Sequence, residues 1–267
     1  MELSTYLERI GFSGTPAPDR ATLEAVQRRH LLAIPYENID VQLGRPVTTD
    51  PAAAFDKLVT RRRGGWCYEM NGLFGWALAE IGFAVTRLAS GVMRSAMGEA
   101  MVGNHLVLRV ACEGGPFLAD VGLGSPPIAP VVIAPGEFTA GGLTFRLEAM
   151  EDGWWRLHNS PGAMPPNFDF HLERMDEALL SASCHGLQTD PNSIFVQNLI
   201  CQRFLPDGHL QLLGRTLKRA TPAGPSERLV GSADELAEVL AADFGIDEPQ
   251  AKDLWPRVAA RHEALFG

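Results

Sequence analysis

The strongest constraint on the fold is a change of hydrophobic period near residue 83. Before it, apolar residues recur at helical spacing, most clearly between Trp66 and Ile81. After it, segments such as Ala84–Met93 and His105–Cys112 alternate between apolar and polar residues, as strands do. Because helices come first, strands follow and the end of the chain is mixed, the sequence predicts an α+β fold rather than a doubly wound α/β sheet.

Local signals predict where several of these elements begin and end. A capping-box pattern at residues 5–8 predicts a short first helix, and residues 20–33 form a second helical pattern that Pro35 closes. Asp50 followed by Pro51 opens another helix, to about Thr60. Gly114-Gly115 predicts a tight turn between the strand at 105–112 and a strand at 117–121. Nearer the end, a hairpin is expected over residues 193–213, and a helix over residues 249–265 with a kink at Pro256.

Length and charge restrict the class of protein. A chain of 267 residues is long enough to bury a large core and needs no disulfide or metal to fold. The net charge of −9 disfavours nucleic acid and anionic membranes as partners, because both carry negative charge themselves. No stretch is apolar enough for a transmembrane helix, and the first residues lack the pattern of a secretory signal, so we expect a cytoplasmic protein.

The four cysteines are scattered without the spacing of metal ligands, and we expect free thiols and no metal site. One of them lies in the most unusual segment of the chain, RRRGGWCYEMN at residues 61–71. Cys67 follows two glycines and stands where a helix is expected to start. The helix dipole and the three preceding arginines would both stabilise a thiolate there. Cys67 is therefore a candidate nucleophile.

A nucleophilic thiol needs a base and a group that orients the base. His105 opens one predicted strand, and Asp120 ends the next, where a carboxylate among apolar residues needs a partner. With a turn at Gly114-Gly115 the two side chains share a face of the sheet but stand four positions apart, about 13 Å. Spacing alone therefore does not predict contact. Taken singly, Cys67 also fits a core residue, His105 a structural hydrogen-bonding residue and Asp120 a turn or cap residue.

Four segments together resemble the arylamine N-acetyltransferase family in its prokaryotic type. RRRGGWCYEMNGLF around Cys67 resembles the active-site segment of that family. HLLAIPYEN at residues 30–38 looks like its H-x-x-x-I-P-F/Y-E-N segment. NHL at 104–106 and DVGLG at 120–124 look like its histidine and aspartate segments. Their order, their spacing and the overall length fit, so the resemblance covers essentially the whole chain.

The resemblance implies a cysteine-peptidase-like architecture in three parts. An N-terminal helical bundle over residues 1–83 would carry Cys67. A central β-barrel-like domain over residues 84–190 would carry His105 and Asp120. Residues 191–267 would form a C-terminal α/β lid. The same resemblance implies that Glu37 and Arg63 form a buried structural pair beside the active site.

The resemblance also implies the reaction. Cys67 would accept acetyl from acetyl-CoA, with His105 paired to its thiolate and Asp120 orienting the imidazole. The acetyl-cysteine would then deliver acetyl to the nitrogen of an arylamine or arylhydrazine, in a ping-pong sequence. The preferred amine and other short acyl-CoA donors stay open. So does the oligomeric state, and a homo-oligomer is compatible with the sequence.

The cofactor site is weakly marked, since the chain contains no GxGxxG or P-loop sequence. The resemblance places a flexible loop near the cofactor at residues 91–103, from which we predict contacts by Arg94, Gly98 and Gly103. Arg94 suits a phosphate but equally suits a solvated surface.

The family often has an aromatic residue after Asp-Val-Gly, where this chain has Leu123. Trp66, Phe195 and Phe204 are the candidates for an aromatic wall in its place, and each also fits ordinary core packing.

Two other functions fit the same residues. A cysteine hydrolase or a transglutaminase-like enzyme would use Cys67, His105 and Asp120 on an amide, without CoA. A non-catalytic binding protein would keep the fold and need none of the three. The acyl donor separates the first alternative from acetyl transfer, and an unreactive Cys67 thiol would favour the second.

Overall fold

The computed structural model describes residues 1–266. Their α-helices are α1 (Leu3–Arg9), α2 (Arg20–Ala33), α3 (Ile39–Gln42), α4 (Pro51–Phe55), α5 (Cys67–Ile81), α6 (Arg94–Met97), α7 (Glu177–Thr189), α8 (Ile194–Gln197), α9 (Ala233–Ala242) and α10 (Trp255–Phe266). Their strands are β1 (Tyr36–Glu37), β2 (Ala84–Val92), β3 (His105–Cys112), β4 (Gly115–Ala119), β5 (Val131–Val132), β6 (Gly136–Ala140), β7 (Leu143–Ala149), β8 (Trp154–His158), β9 (Asn167–His171), β10 (Ile200–Leu205), β11 (Gly208–Leu213), β12 (Thr216–Thr221) and β13 (Gly224–Leu229). A π-helical turn (Asp56–Thr60) follows α4, and a 3₁₀ segment (Pro249–Leu254) precedes α10.

The early helices begin and end largely as their local signals predict. The Asp19 side chain caps α2 by accepting a hydrogen bond from Thr22 N at 2.8 Å. Gly82 ends α5 with a φ of 109°, a left-handed conformation that favours glycine. The capping box at residues 5–8 is wrong, because α1 already begins at Leu3. Thr5 lies within that helix and donates its N–H to the Glu2 carbonyl.

An eight-stranded antiparallel sheet occupies the middle of the chain, in the order β5-β4-β3-β2-β9-β8-β7-β6. Helix α5 packs against it: a Cβ on Gly75 would lie 3.2 Å from the Leu108 side chain of β3. Strand β4 runs from Gly115 to Ala119, two residues earlier than the predicted 117–121. The reason is the hairpin turn. Cys112 pairs with Gly115, so the turn is made at residues 113–114 rather than 114–115.

A second antiparallel sheet has the order β1-β10-β11-β12-β13, so a strand from the first third of the chain pairs with one from the last third. One face of this sheet packs against α9, α10 and the 3₁₀ segment through buried apolar residues (Cys201, Leu210, Leu212, Leu217, Leu236, Leu240, Phe244, Leu254 and Val258). The hairpin predicted over 193–213 is confirmed for β10 and β11. Its first residues instead form α8, because the Ser193 hydroxyl caps Phe195 N at 3.3 Å.

Local signals start the C-terminal helices, and the helix predicted over residues 249–265 differs from the prediction. The Ser232 side chain caps α9 through Glu235 N at 3.1 Å. The stretch predicted as one kinked helix is a 3₁₀ segment followed by α10, in which Pro256 is the second residue. Proline fits the first turn of a helix, where its missing N–H costs nothing. It therefore helps to start α10 rather than bending a longer helix.

The predicted α+β class is confirmed. The division at residues 83 and 190 stays a prediction. None of the helices within residues 1–266 combines the length and the apolar character needed to cross a membrane.

His30 is a buried polar residue in the apolar core that α1, α2 and α5 share. Its ring is fully buried, with Nδ1 2.9 Å from the Tyr6 hydroxyl and with Nε2 unpartnered. Burial, with a smaller contribution from Arg9, lowers the pKa of His30 from 6.5 to about 3. The folded protein therefore keeps His30 neutral at pH values where the unfolded chain protonates it.

This difference predicts that stability decreases as the pH falls below 6.5. The unfolded state binds the proton first, so the free energy of unfolding should lose about 2–3 kcal/mol from this group between pH 7 and pH 4.5. A His30→Gln variant, which retains an acceptor for Tyr6, should lack that component. Urea unfolding of both proteins at the two pH values measures it. The same pH dependence in both would contradict the role of His30.

Candidate active site

Cys67 is the first residue of α5 and is only 3% exposed. The chain reaches this position through two glycines in tight surroundings. A Cβ on Gly65 would lie 2.8 Å from Glu69 Oε2, and Gly64 is similarly close to the Pro35 carbonyl. The Glu69 carboxylate then accepts the N–H of Trp66 at 3.2 Å, which caps the helix. The sequence GGWCYE therefore builds a compact helix start with the thiol at its first position.

His105 and Asp120 are in direct contact. His105 Nε2 lies 2.9 Å from Asp120 Oδ2, and both side chains are buried. The register explains why they meet despite the separation of 13 Å expected from a turn one residue later. Since Leu108 pairs with Ala119, continuing the register places Gly122 opposite His105. Asp120 is then two positions away rather than four, on the same face of the sheet.

The second oxygen of Asp120 is bonded as well. Asp120 Oδ1 accepts from Asn71 Nδ2 at 2.8 Å and from Gly122 N at 2.7 Å. Asn71 also donates to the Leu106 carbonyl at 2.7 Å and accepts from Val121 N at 2.9 Å. This one amide therefore ties α5 to the strand that carries His105 and to the loop that follows β4.

Sequence reasoning missed the role of Asn71, although a signal was present. Asn71 is four residues after Cys67 in the same helix, so the two side chains lie on one face. A buried asparagine on the face that carries a candidate nucleophile needs partners for a carbonyl and an amino group. In this site those partners are Asp120, Leu106 and Val121.

Cys67 lies against the segments that carry both of the other residues. Its Sγ is 4.0 Å from the carbonyl of Asn104, the residue before His105. On the other side, a Cβ on Gly122 would lie 2.6 Å from Cys67 Cα, so only glycine allows the loop after Asp120 to approach this closely. The three predicted residues therefore lie in one buried region, with a direct hydrogen bond shown for His105 and Asp120.

Burial raises the pKa of the Cys67 thiol well above its ordinary value, and the nearby Cys184 and Asp120 act in the same direction. Hydrogen bonds from the backbone N–H groups of Leu106 and Tyr68 oppose this effect. The net direction differs from the expectation that the helix start and the preceding arginines favour a thiolate. In this site a thiolate therefore requires a base.

Two of the three arginines before Gly64 are engaged elsewhere. Arg61 Nε lies 2.9 Å from the exposed carboxylate of Asp56, and the buried Arg63 pairs with Glu37 and Glu248. Carboxylates therefore balance the charges of Arg61 and Arg63. This explains why these arginines do not offset the effect of burial on the thiol.

Residues 19–252 match a protein family described as N-acetyltransferase. The chain is 36% identical to the arylamine N-acetyltransferase of Mycolicibacterium smegmatis, over 97% of this chain and 98% of the relative. It is 32% identical to the arylamine N-acetyltransferase of Mycobacterium tuberculosis, over 92% of this chain and 90% of the relative. The chain belongs to the arylamine N-acetyltransferase family.

Solved structures agree with this assignment. The arylamine N-acetyltransferase of M. smegmatis superposes with a TM-score of 0.88 at 34% identity, covering 97% of this chain and 98% of that one. The Mycobacterium marinum arylamine N-acetyltransferase in complex with CoA superposes with a TM-score of 0.85 at 31% identity, with the same coverage. As a member of the arylamine N-acetyltransferase family, the chain is an acyltransferase, and the family resemblance seen in its sequence is confirmed.

A buried network of charges supports the start of α5 in this arylamine N-acetyltransferase. Lys57 Nζ lies 3.0 Å from Glu69 Oε1 and 3.0 Å from Asp40 Oδ2. Arg63 Nη2 lies 2.9 Å from Glu37 Oε1, which is the pair that the resemblance implies. All five side chains are buried. Because Glu69 caps the helix that begins with Cys67, this network helps to fix the position of the thiol.

The residues that we predict to contact the cofactor lie in the segment that connects β2 to β3. Arg94 stacks on the Trp154 ring, 3.7 Å from its centre, and pairs with Asp169 at 3.1 Å and also with Glu99. Gly103 packs against α7: a Cβ there would lie 2.6 Å from Ser183 Oγ.

Arg94 also borders an open surface cavity of about 730 Å³, whose lining includes four carboxylates (Glu99, Glu148, Glu151 and Asp152). Cofactor binding by Arg94, Gly98 and Gly103 stays a prediction. To meet a phosphate, Arg94 would have to leave its present partners.

Two of the three candidate aromatic residues pack against each other. Trp66 and Phe195 meet edge to face with ring centres 5.1 Å apart, and Trp66 is fully buried. Phe204 instead packs against His209 of the neighbouring strand, at 5.1 Å. Leu123, where the family often has an aromatic residue, is 8% exposed and belongs to the core of the eight-stranded sheet.

The charge network makes a prediction about stability. Replacing Lys57 by Met should destabilise the fold by about 3–5 kcal/mol, because Glu69 would be left buried without its cation. Asp40 would lose one of its cations and keep Arg45 and Arg63. Denaturant unfolding measures this change. The matched control is Lys252→Met, which removes an exposed lysine whose partner is Asp234. That variant should unfold like the wild type. Equal losses in the free energy of unfolding for the two substitutions would contradict the stabilising role of the buried network.

Proposed function

We propose that this chain transfers acetyl from acetyl-CoA to the nitrogen of arylamines or arylhydrazines through an acetyl-Cys67 intermediate. The observation that carries the proposal is the placement of a buried thiol at the start of α5 beside the hydrogen-bonded pair of His105 and Asp120, at 2.9 Å. A nucleophile, a base and a group that orients the base are the parts required for acyl transfer through cysteine.

The first half of the reaction forms the acetyl-enzyme. His105 accepts the proton of the Cys67 thiol, which burial would otherwise keep in place. The thiolate attacks the thioester carbonyl of acetyl-CoA, and the bond from that carbonyl to the CoA sulfur breaks. The leaving CoA thiolate takes the proton from His105. One thioester replaces another, so the intermediate stores nearly all of the energy of the donor.

The second half returns the enzyme to its starting state. The amine nitrogen attacks the carbonyl of acetyl-Cys67 and loses a proton to His105. The bond from the carbonyl to the Cys67 sulfur breaks, and His105 returns the proton to that sulfur. Throughout both halves, Asp120 holds the imidazole in one orientation and stabilises its protonated form.

The relatives support the substrates in this proposal. Those reported above are named arylamine N-acetyltransferases, and the M. marinum protein is a complex with CoA. Within residues 1–266, no group of three or more His, Cys, Asp or Glu side chains is arranged to hold a metal ion. A cytoplasmic location, arylhydrazine acceptors and self-association stay predictions.

Brief incubation with acetyl-CoA and no amine should add one acetyl group to the protein. Intact-protein mass spectrometry measures the addition, and a subsequent arylamine should remove it. A Cys67→Ser variant should fold normally and show no such cycle, because a serine hydroxyl is far harder to ionise than a thiol.

Two results would contradict the proposed function. Acetyl transfer by Cys67→Ser at a rate close to that of the wild type would exclude Cys67 as the nucleophile. A wild-type protein that forms no adduct, yet hydrolyses peptide or glutamine amides, would point instead to a cysteine hydrolase or a transglutaminase-like enzyme.

The pKa of Cys67 predicts how its reactivity depends on His105. With His105 as a base, alkylation of Cys67 by iodoacetamide should have a lower midpoint pH in the wild type than in His105→Gln. In that variant the base is absent and burial dominates, so the midpoint should lie well above the free-thiol value of about 8.5. The rate at pH 7 should then fall at least about tenfold.

The control is a Cys67→Ser protein, in which iodoacetamide can label only the other three cysteines. Its labelling rate is the background to subtract. Two of these cysteines, Cys184 and Cys201, are themselves buried thiols whose pKa burial raises, so their labelling should be slow. An unchanged midpoint in His105→Gln would contradict proton transfer from Cys67 to His105.

A further inference from the structure

A row of polar side chains crosses one face of the five-stranded sheet. Tyr36 pairs with Gln202, Gln202 with Gln211, and Gln211 with Lys218. Paired residues project from the same face of a sheet, and their chain neighbours project from the other. The neighbour Cys201 lies in the core beneath α9 and α10, so the row faces away from those helices. We call Gln202, Gln211 and Lys218 the polar row.

The polar row runs from the buried interior to the surface. Gln202 is 8% exposed, Gln211 is half-buried, and the Lys218 side chain is 56% exposed. Neighbouring strands lie about 4.8 Å apart, so the three side chains cover about 10 Å.

The buried end of the row packs against the loop that approaches Cys67. A Cβ on Gly124 would lie 2.8 Å from Gln202 Cδ, so the Gln202 amide packs directly on this glycine. Gly124 is two residues beyond Gly122, the glycine that touches Cys67, which is at most about 7 Å of chain. Tyr36, across from Gln202, belongs to the same apolar cluster as Cys67.

The Gln202 amide is not explained by packing. Its Oε1 is inaccessible to solvent and has no hydrogen-bond partner in residues 1–266. On the same face of β10 its neighbours are Ile200 and Phe204, both apolar. An unpaired buried amide is unfavourable, and an apolar residue would fill this position at lower cost. Such a group, packed on the loop that touches a nucleophile, is expected to bind a ligand that carries its own donors and acceptors.

We propose that the polar row binds the pantetheine and phosphate arm of the acyl-CoA donor, an inference that rests on the proposed function. From the thioester outward, this arm carries an amide, a second amide and then the phosphates. The row presents an amide, a second amide and then a cation in the same order. Each glutamine offers a donor and an acceptor, so it pairs with an amide in either orientation.

Lys218 is available to a phosphate in a way that Arg94 is not. Lys218 Nζ lies 2.9 Å from Glu227 Oε2, and both side chains are 56% exposed. Exposed ion pairs contribute little to stability, so exchange of Glu227 for a more highly charged phosphate costs little. Arg94, in contrast, is paired with the fully buried Asp169.

Two donors and three variants test this assignment. The donors are acetyl-CoA and p-nitrophenyl acetate, which acetylates a cysteine but has no arm. The variants are Gln202→Leu, Lys218→Ala and the matched control Arg219→Ala. Arg219 is the next residue of β12, projects from the opposite face and is similarly exposed, at 47%. The measurement is the rate of Cys67 acetylation, followed by protein mass, over a range of donor concentrations and at two salt concentrations.

With acetyl-CoA, Gln202→Leu should acetylate about tenfold more slowly, since the arm loses a hydrogen bond at a buried site. Lys218→Ala should need about fivefold more acetyl-CoA for half-maximal rate and should lose part of the salt dependence. With p-nitrophenyl acetate both variants should match the wild type, which also shows that they are folded. Arg219→Ala should match the wild type with both donors.

Rates like those of the wild type with acetyl-CoA in both row variants would overturn the assignment. Equal effects of Lys218→Ala and Arg219→Ala on acetylation by acetyl-CoA would also overturn it. So would a Gln202→Leu variant that is slowed only in the transfer of acetyl to the amine. If Gln202→Leu fails to fold, the comparison of Lys218→Ala with Arg219→Ala still tests the assignment, because both residues are exposed. A wild-type protein that neither donor acetylates would overturn the proposed function, and the assignment with it.

Discussion

The buried carboxylate of Asp120 is the group on which the geometry of the active site depends. One oxygen lies 2.9 Å from His105 Nε2, and the other accepts hydrogen bonds from Asn71 and from Gly122 N. A buried carboxylate is tolerated only when its lone pairs are used, and here the partners come from helix α5, strand β3 and the loop after β4. These hydrogen bonds join helix α5 to the eight-stranded sheet close to Cys67, the first residue of α5.

Burial affects Asp120 and Cys67 differently, although the two residues lie in one region. Asp120 has three hydrogen-bonding partners, whereas the Cys67 sulfur has only backbone N–H groups to offset the loss of water, and the pKa of its thiol is raised. On the proposed mechanism this difference is useful. The thiol stays protonated until His105 takes its proton. The cations nearest in sequence do not replace that base, since Arg63 and Lys57 are occupied by the carboxylates that support the start of α5.

The order and bounds of the helices follow closely from the sequence. Helices α2 and α5 closely match the ranges that the sequence predicts, because the signals that bound a helix are contacts between residues three or four apart. The sheets were harder to predict. Moving the turn by one residue to 113–114 shifted the register of β3 and β4 by two positions. The pairing of β1 with β10, which joins residues more than 160 positions apart, has no local signal at all.

The sequence by itself determined the residue types of the active site and the family, because Cys67, His105 and Asp120 each stand in a short distinctive segment. Only the tertiary structure decided that His105 meets Asp120, that Asn71 holds both layers together, and that Gln202 packs on Gly124 with its side-chain oxygen unpartnered among the described residues. These are contacts between distant segments, and strand register and burial set them. Burial also reversed the expected direction of the Cys67 pKa, since the loss of water around a thiolate depends on residues from every part of the fold.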